Sequence, residues 1–446
     1  MAETFDLVLK GGTLVNHAGV GLADIGVRAG RIAAIGDIGE GMAGETIDAT
    51  GLHVLPGVID SQVHFREPGL THKEDLESGS RSAVLGGVTA VFEMPNTKPA
   101  TTSAGALADK VARARGRMFC DFAFFVGATR DNVDALPELE LLPGAAGIKV
   151  FMGSSTGDLL VDDEETLARV LAKIRRRAAF HAEDEARLKQ RLSLQREGDP
   201  SSHSEWRDAE AALAASERLV RLASAAGKRV HVLHVSTKEE MALLARHKDV
   251  ASVEVTPQHL TLEANDAYEA LATRAQMNPP LRNATHQEGL WWGLGQGVVD
   301  VLGSDHAPHT LEEKAKSYPA TPSGMPGVQT LVPVMLDHVN AGRLSLGRFV
   351  DLTSAGPQRI FGIAGKGRIA VGYDADLTVV DLKAERVIDN AWIGSKCGWT
   401  PFAGRKVRGW PMGTFVRGRL AMWEGELGQA GGEPVRFAEA LPRATG

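Results

Sequence analysis

The sequence predicts an α/β fold, in which a (β/α)8 TIM-like barrel carries a small β-sandwich domain built from both termini. Three observations predict this arrangement. Strand-like runs occupy the first fifty residues, eight apolar runs alternating with helical patterns occupy the middle, and strand-like runs return after residue 365. The chain has 446 residues, 43% of them hydrophobic, which is enough to build a large buried core.

The two terminal regions share one pattern, in which short runs are separated by Gly-rich or charged turns. Isolated short hairpins are only marginally stable, so we expect both ends to pair within one domain. We predict that residues 1–55 form its N-terminal part, residues 56–364 the barrel, and residues 365–446 its C-terminal part and a tail, with 428–446 running over the surface. The runs are 6–9, 23–27 and 31–35 at one end and 368–371, 376–380, 407–410 and 414–418 at the other.

In the middle region, each apolar run is followed by a helical pattern, which is typical of βα units and a parallel sheet. Within 164–175, Leu167, Val170, Leu171 and Ile174 fall at positions i, i+3, i+4 and i+7 and so share one helix face. Eight such units predict a closed barrel whose site lies at the C-terminal ends of its strands. The apolar runs are 58–64, 88–94, 121–127, 147–151, 179–183, 230–235, 253–256 and 298–304.

Composition excludes several classes of function. Lys and Arg number 49 against 56 Asp and Glu, a net charge of -7, so no basic surface for nucleic acid or an anionic membrane is expected. The two cysteines, Cys120 and Cys397, show neither metal-type spacing nor a disulfide framework. A secretory leader and a stretch of about 18 apolar residues are both lacking. We therefore expect a cytoplasmic protein that acts on a small molecule.

The first barrel strand places three polar side chains on one face. Gln62, His64 and Arg66 alternate along the strand, so all three can point into the barrel mouth. A single histidine on a strand is more often a hydrogen-bonded core residue. The other strand ends decide between these interpretations.

The fourth strand contains Lys149 within an apolar run, where an uncompensated ammonium group is costly. One interpretation is a buried lysine paired with a carboxylate. The other is a lysine carboxylated by carbon dioxide, which becomes an anionic oxygen ligand able to bridge two metal ions.

Three further strand ends also carry metal-binding side chains. His181 follows the fifth strand, His234 the sixth and Asp305 the eighth, so the barrel mouth collects them together with His64 and Lys149. Nitrogen and oxygen donors converging from five strands predict a divalent metal site, and we expect zinc.

At these residues the chain resembles the dihydroorotases of the amidohydrolase superfamily, which interconvert L-dihydroorotate and N-carbamoyl-L-aspartate in pyrimidine biosynthesis. The resemblance spans nearly the whole chain, and the last of its motifs is the most specific. The motifs are VHFREPG at 63–69, EMPNT at 93–97, MNPPLR at 277–282 and GSDHAPHTLEEK at 303–314.

The resemblance implies a role for each matching residue. It makes His64 and Asp305 ligands of one zinc ion and His181 and His234 ligands of a second, with Lys149 bridging them as a carbamate. The nucleophile would be a metal-held hydroxide, with Asp305 as the proton shuttle. The substrate-binding positions it implies are Arg66, Asn96 and His309 for the substrate carboxylate, and Asn278 and Arg282 near the ring.

Gln62 departs from the family pattern, which has histidine at this position. Three hypotheses follow. Gln62 is a weak ligand of the first metal, it leaves that metal to His64, Asp305 and the carbamate, or it abolishes that metal, with or without loss of activity. The resemblance also leaves two other functions open. One is hydrolysis of another cyclic amide by a hydantoinase, dihydropyrimidinase or allantoinase, and the other is a silent homologue that serves as a structural partner of aspartate carbamoyltransferase. Barrels of this superfamily commonly form homo-oligomers, which we expect here.

Overall fold

The computed structural model describes residues 4–154 and 159–440, and its first five strands belong to a sheet domain. β1 pairs antiparallel with β2, and both β4 and β5 pair parallel to β1. This part of the chain therefore forms a mixed sheet around the long first strand. The strands are β1 (Phe5–Asn16), β2 (Gly19–Arg28), β3 (Arg31–Gly36), β4 (Ala43–Asp48) and β5 (His53–Pro56).

Eight parallel strands follow and form the predicted barrel. They are hydrogen-bonded in sequence order from β6 to β13. The His64 N–H donates to the carbonyl of His306 at 2.7 Å, which brings the first strand to the last and nearly closes the barrel. Both faces of these strands are covered, which is why they appear in the sequence as apolar runs. The strands are β6 (Val58–Val63), β7 (Val88–Glu93), β8 (Asp121–Gly127), β9 (Ala145–Phe151), β10 (Ala178–His181), β11 (Val230–Val232), β12 (Ala251–Val255) and β13 (Val301–Leu302).

Helices surround the barrel and cover its strands. Most begin at a side-chain cap; Asp163, for example, accepts a hydrogen bond from the Thr166 N–H at the start of the fourth helix. Within the described residues, no helix is both long and apolar enough to cross a membrane. The helices are α1 (Leu76–Leu85), α2 (Ala104–Ala114), α3 (Leu136–Leu139), α4 (Glu164–Lys173), α5 (Glu185–Arg191), α6 (Ser202–Trp206), α7 (Ala209–Ala225), α8 (Lys238–Ala245), α9 (Pro257–Thr261), α10 (Ala264–Leu271), α11 (Ala284–Gly295), α12 (Leu311–Lys314), α13 (Leu331–Asn340), α14 (Leu346–Val350) and α15 (Gly356–Phe361).

The C-terminal strands complete the sheet domain, and the prediction that both ends pair is confirmed. β14 pairs antiparallel with β5, which joins the two terminal regions in one sheet of nine strands among the described residues. Residues from both ends, such as Ile25, Val54 and Phe415, are buried in one hydrophobic core. The strands are β14 (Leu377–Val387), β15 (Lys406–Val416), β16 (Arg419–Trp423) and β17 (Glu426–Leu427).

The prediction that residues 428–446 run over the surface is wrong for some of the described residues of that stretch, although others are exposed. Val435 and Phe437 are each only 3% exposed. The Val435 N–H donates to the carbonyl of Phe122 at 2.8 Å, at the N-terminal end of the barrel. The Gly-rich composition of the stretch gave no sign of these two buried apolar side chains, or of the backbone hydrogen bonds by which Gly432 and Val435 attach to the barrel. Residues 441–446 lie outside the described residues.

An ion-pair cluster lies between the sheet domain and the N-terminal end of the barrel. Asp121, Asp374 and Asp376 are buried and close enough together to hold a metal ion. The Lys366 ammonium group already lies among them, 2.5 Å from Asp121 Oδ2 and 3.4 Å from Asp374 Oδ2, and it also pairs with Asp376. A buried cation with several carboxylate partners satisfies their charge, so we assign this cluster to domain packing.

Candidate active site at the barrel mouth

The residues predicted to bind metal lie together at the C-terminal end of the barrel. They come from five different strand ends and line one cavity, whose wall also includes Asn278. Convergence of this kind at the mouth is typical of enzymes with this fold. All six candidate ligands line this cavity, namely Gln62, His64, Lys149, His181, His234 and Asp305.

The backbone is strained at two of these strand ends. His234 and Asp305 have φ values of 35° and 45°, in the left-handed region that residues with a Cβ rarely adopt. Such a conformation costs roughly 1 kcal/mol or more and is retained where the surrounding structure requires it. Its occurrence at both positions is consistent with a functional requirement on where these side chains lie.

In the first half of the site, His64 faces Asp305. His64 Nδ1 lies 2.8 Å from Asn96 Oδ1, which can only accept, so Nδ1 carries the ring proton. The other ring nitrogen, Nε2, lies 3.2 Å from Asp305 Oδ1. Burial lowers the pKa of His64, so the ring is neutral and its Nε2 lone pair points at a carboxylate. Two lone-pair donors that face each other make a position suited to a cation.

Gln62 belongs to the same half of the site. Its Nε2 donates to Asp305 Oδ1 at 3.1 Å, while its Oε1 is buried without a hydrogen-bond partner among the described residues. Burial by itself would raise the pKa of Asp305, but its interactions with His64 and with the nearby His234 hold this pKa well below its usual value. Asp305 is therefore ionised at neutral pH.

In the second half, His181 Nδ1 lies 3.0 Å from His234 Nε2. His181 Nε2 donates to Glu183 Oε2 at 2.8 Å, which leaves Nδ1 with its lone pair directed at His234. Glu183 also accepts two hydrogen bonds from Arg207, at 3.1 and 2.6 Å. Although burial would raise the pKa of Glu183, the Arg207 guanidinium and His181 hold it well below its usual value. This buried pair fixes the orientation and tautomer of His181.

Lys149 lines the same cavity as the two halves and is buried. Its Nζ is buried and has no hydrogen-bond partner among the described residues. The ammonium position lies 4.5 Å from the centre of the Phe151 ring, and burial lowers the pKa of Lys149 to about 7. The structure thus gives no support to the interpretation of a lysine paired directly with a carboxylate.

The residues present fit two divalent ions and a carboxylated lysine. Lone pairs of His64 and Asp305 face each other, and so do ring nitrogens of His181 and His234. The unpartnered Lys149 Nζ is a group that carboxylation would supply with new oxygen atoms. Imidazole nitrogen and carboxylate oxygen together suit zinc.

A buried carboxylate deeper in the barrel connects the first and last strand ends. Asp60 Oδ1 accepts hydrogen bonds from the Gln62 N–H at 3.2 Å and the Ser304 N–H at 3.0 Å. Burial raises the pKa of Asp60 to about 7. Asp60 therefore ties the segment that carries Gln62 and His64 to the one that carries Asp305.

The predicted carboxylate clamp lines an adjoining cavity of about 640 Å³, whose wall includes Arg66, Asn96 and His309 as well as Lys73 and Lys98. Arg66 donates from Nε to the Pro308 carbonyl at 3.2 Å, and its Nη2 lies 3.3 Å from His309 Nε2. Burial lowers the pKa of Arg66 only to about 10, so the guanidinium stays charged at neutral pH. This wall is cationic and suits an anionic ligand.

The structure does not bring Arg282 to either cavity wall. Its guanidinium donates to Ser236 Oγ at 3.3 Å and to the carbonyls of Arg207 at 2.5 Å and Asp208 at 3.4 Å. Arg282 thereby holds the segment after β12 against the segment before α7. A contact of Arg282 with substrate stays a prediction.

Glu183 and Arg207 were missed as site residues by the sequence analysis. Glu183 follows His181 by two positions, so the period of a strand could have placed both on one face. Arg207 has no such signal, because it lies 24 positions from Glu183 along the chain and outside any strand. Only the fold brings the two together.

Comparison with known proteins identifies the family of the chain. The sequence pattern of the amidohydrolase family matches residues 53–421. A dihydroorotase from Halobacterium salinarum is 40% identical over 405 residues, which cover 86% of this chain and 92% of that protein. An allantoinase from Rubrobacter xylanophilus is 37% identical over 438 residues, covering 95% of this chain and 96% of that protein.

Among solved structures, the L-hydantoinase (dihydropyrimidinase) from Arthrobacter aurescens superimposes with a TM-score of 0.92 at 32% sequence identity. The match covers 97% of this chain and 100% of that one. With these similarities along nearly its whole length and a family pattern matching most of it, the chain belongs to the amidohydrolase family.

Proposed function

We propose that the protein is a metal-dependent dihydroorotase, which reversibly hydrolyses L-dihydroorotate to N-carbamoyl-L-aspartate in cytoplasmic pyrimidine biosynthesis. One observation carries the proposal: the cationic wall that includes Arg66, Asn96 and His309 together with Lys73 and Lys98 lies next to the cavity of candidate metal ligands. A cyclic amide with a ring carboxylate would place its carboxylate against this wall and its scissile amide in the cavity of candidate metal ligands. The similarity to a dihydroorotase over most of the chain supports this substrate.

In this proposal, His64 and Asp305 would hold one zinc ion, His181 and His234 would hold the other, and Lys149, carboxylated by carbon dioxide, would supply ligand oxygens to both. Two ions so bound would supply a hydroxide nucleophile at neutral pH and polarise the carbonyl that is attacked. The remaining steps belong to side chains of the chain itself.

Asp305 is the proton shuttle. It is ionised at neutral pH, and its Oδ1 accepts a hydrogen bond from Gln62, so the carboxylate has a defined position. It accepts the proton of the nucleophile during attack and delivers that proton to the departing ring nitrogen. In the biosynthetic direction the same transfers run in reverse.

Arg66 orients the substrate. Its guanidinium is planar and presents a fork of donors that matches a carboxylate with two parallel hydrogen bonds. Its Nε is already fixed by the Pro308 carbonyl, so the group loses little freedom on binding. The ring is thereby held with its scissile amide toward the candidate metal ligands.

Substitution of Arg66 tests the proposal. Arg66→Lys should cost about 2 to 4 kcal/mol of transition-state stabilisation, or about 30- to 1000-fold in kcat/KM for dihydroorotate. Hydantoin lacks the carboxylate, so its turnover should change little. Arg130→Lys, at an exposed arginine 62% accessible in its side chain, is the matched control and should behave as wild type. Unchanged kinetics of Arg66→Lys with dihydroorotate would mean that another substrate is bound.

A second candidate is hydrolysis of a different cyclic amide, as by a hydantoinase, dihydropyrimidinase or allantoinase. The similarity to an allantoinase and to an L-hydantoinase over almost the full chain favours it. Turnover of dihydroorotate, allantoin and hydantoin by the purified zinc-loaded protein separates these substrates. We expect dihydroorotate to have the highest kcat/KM, because the other two lack a ring carboxylate for Arg66.

Gln62 motivates a third candidate, a silent homologue that acts as a structural partner of aspartate carbamoyltransferase. The proposal of an active enzyme requires bound metal and turnover of the isolated protein. Metal content and rate measured on one preparation decide between them. We also propose that the chain forms a homo-oligomer, which analytical ultracentrifugation of the same preparation tests.

A further inference from the structure

His203 is a buried histidine to which no role in the site has been given. It lies in α6, on the segment between β10 and β11, and is 1% exposed. Its ring is held between Trp206 and Tyr318, with ring centres 5.5 and 5.8 Å away and edge-to-face geometry on both sides. The position of the imidazole is therefore well defined.

The contacts of His203 define which ring nitrogen carries the proton. Nε2 lies 3.2 Å from the backbone carbonyl of Met277 and 2.8 Å from the Asn278 side chain. A backbone carbonyl can only accept a hydrogen bond, so Nε2 must be the donor. Burial, assisted by Arg207, lowers the pKa of His203 to about 3, so the ring is neutral and has this single N–H.

The protonation of His203 in turn defines the orientation of the Asn278 amide. Because Nε2 donates, the Asn278 atom beside it must be the acceptor Oδ1 rather than the NH2 group. Asn278 also lines the cavity of candidate metal ligands. The Asn278 NH2 group, on the far side of the amide from His203, is the end left to contact a ligand there.

We infer that His203 is a positioning residue that makes Asn278 a hydrogen-bond donor toward the substrate, and that Asn278 binds the ureido carbonyl oxygen. This inference rests on the proposed hydrolysis of a cyclic ureide. The carboxylate of the substrate is assigned to Arg66, and the scissile carbonyl to the proposed metal site. The ureido carbonyl is the remaining acceptor of the ring, and dihydroorotate, allantoin and hydantoin all have it. His203 and Asn278 therefore recognise the common ring, whereas Arg66 selects among rings.

The test compares two substitutions of His203. His203→Leu removes the donor and leaves Asn278 free to rotate, whereas His203→Gln retains an N–H that can reach the same oxygens. In the zinc-loaded protein, we expect His203→Leu to weaken binding of dihydroorotate and of hydantoin alike, by about tenfold in Kd and KM, with a smaller change in kcat. His203→Gln should recover most of this loss.

An analogue adds a readout that a purely structural role would not change. 2-Thiohydantoin has sulfur, a weaker acceptor, in place of the ureido oxygen. Wild type should bind hydantoin more tightly than 2-thiohydantoin, and His203→Leu should reduce that preference to near unity. His338→Leu is the matched control, since His338 is also buried, bonds Thr261 Oγ1 at 2.9 Å and lines neither cavity. It should lower Tm without altering the preference.

The outcomes separate this inference from the proposed function. Retention of the preference in His203→Leu, or equal effects of the Leu and Gln substitutions on Kd, would overturn the role of His203 even if dihydroorotate is the substrate. If dihydroorotate is not hydrolysed but hydantoin binds with the expected preference, the dihydroorotase proposal fails and the role of His203 stands. Failure of wild type to bind any cyclic ureide would overturn both.

Discussion

The two halves of the candidate metal site are supported in different ways. His181 in the second half donates to Glu183, and Glu183 is held by Arg207, with both side chains of that ion pair at most 2% exposed. His64 in the first half donates instead to Asn96, which also lines the proposed substrate cavity. His181 is therefore oriented by an ion pair of its own, whereas the residue that orients His64 is also expected to bind the substrate.

The same two halves differ in the ligands that they offer. The second half has two imidazoles, and a charged carboxylate increases the basicity of His181. The first half has one imidazole, one carboxylate and the neutral amide of Gln62, whose NH2 group donates a hydrogen bond to Asp305. We expect ions in the second half to bind more tightly, and the first half to limit the activity.

The largest expected effect comes from Lys149, which we propose supplies ligand atoms to both halves. Lys149→Ala should remove the bridging group, lose most of the metal and lower kcat by about a thousandfold or more, since several kcal/mol of charge stabilisation are lost. Short carboxylic acids should restore part of the activity by occupying the vacated space. Metal analysis and turnover with and without added acetate measure this. Full activity of Lys149→Ala would refute the bridging carbamate.

A substitution of Glu183 tests the second half alone. Glu183→Gln removes the charge behind His181, and metal affinity there should fall by about 10- to 100-fold. Competition with a chromophoric chelator gives the two dissociation constants. Glu164→Gln, at an exposed carboxylate paired with Arg221, is the control and should leave both constants unchanged. A loss confined to the weaker constant would reverse our assignment of the halves.

Gln62 tests the first half, with the smallest expected effect. In wild type, a chelator should remove one ion before the other, and activity should follow the labile ion. Gln62→His should tighten the first position by about tenfold, because an imidazole nitrogen replaces an amide oxygen. The rate need not rise if the cavity has adapted to Gln62. Two equally tight ions in wild type, unchanged in Gln62→His, would show that position 62 is not a ligand.

Strand periodicity was sufficient to predict most of the site. The alternation of Gln62, His64 and Arg66 and the endings of the other strands place side chains at one mouth, because parallel strands in a barrel all end on the same side. The polar residue in each apolar run was visible without any contact information. The burial of Val435 and Phe437 was not predicted, since two apolar residues in a Gly-rich stretch show no period.

The sequence by itself determined the barrel, the pairing of its two ends and the set of candidate ligands, because periodicity and residue type are local properties. Only the tertiary structure decided how those ligands are held. Arg207 meets Glu183, and His203 meets Asn278, across 24 and 75 positions of chain. Arg282 bonds backbone carbonyls instead of lining the cavity. Such contacts depend on how loops pack against one another after the strands have formed, and no local pattern encodes that packing.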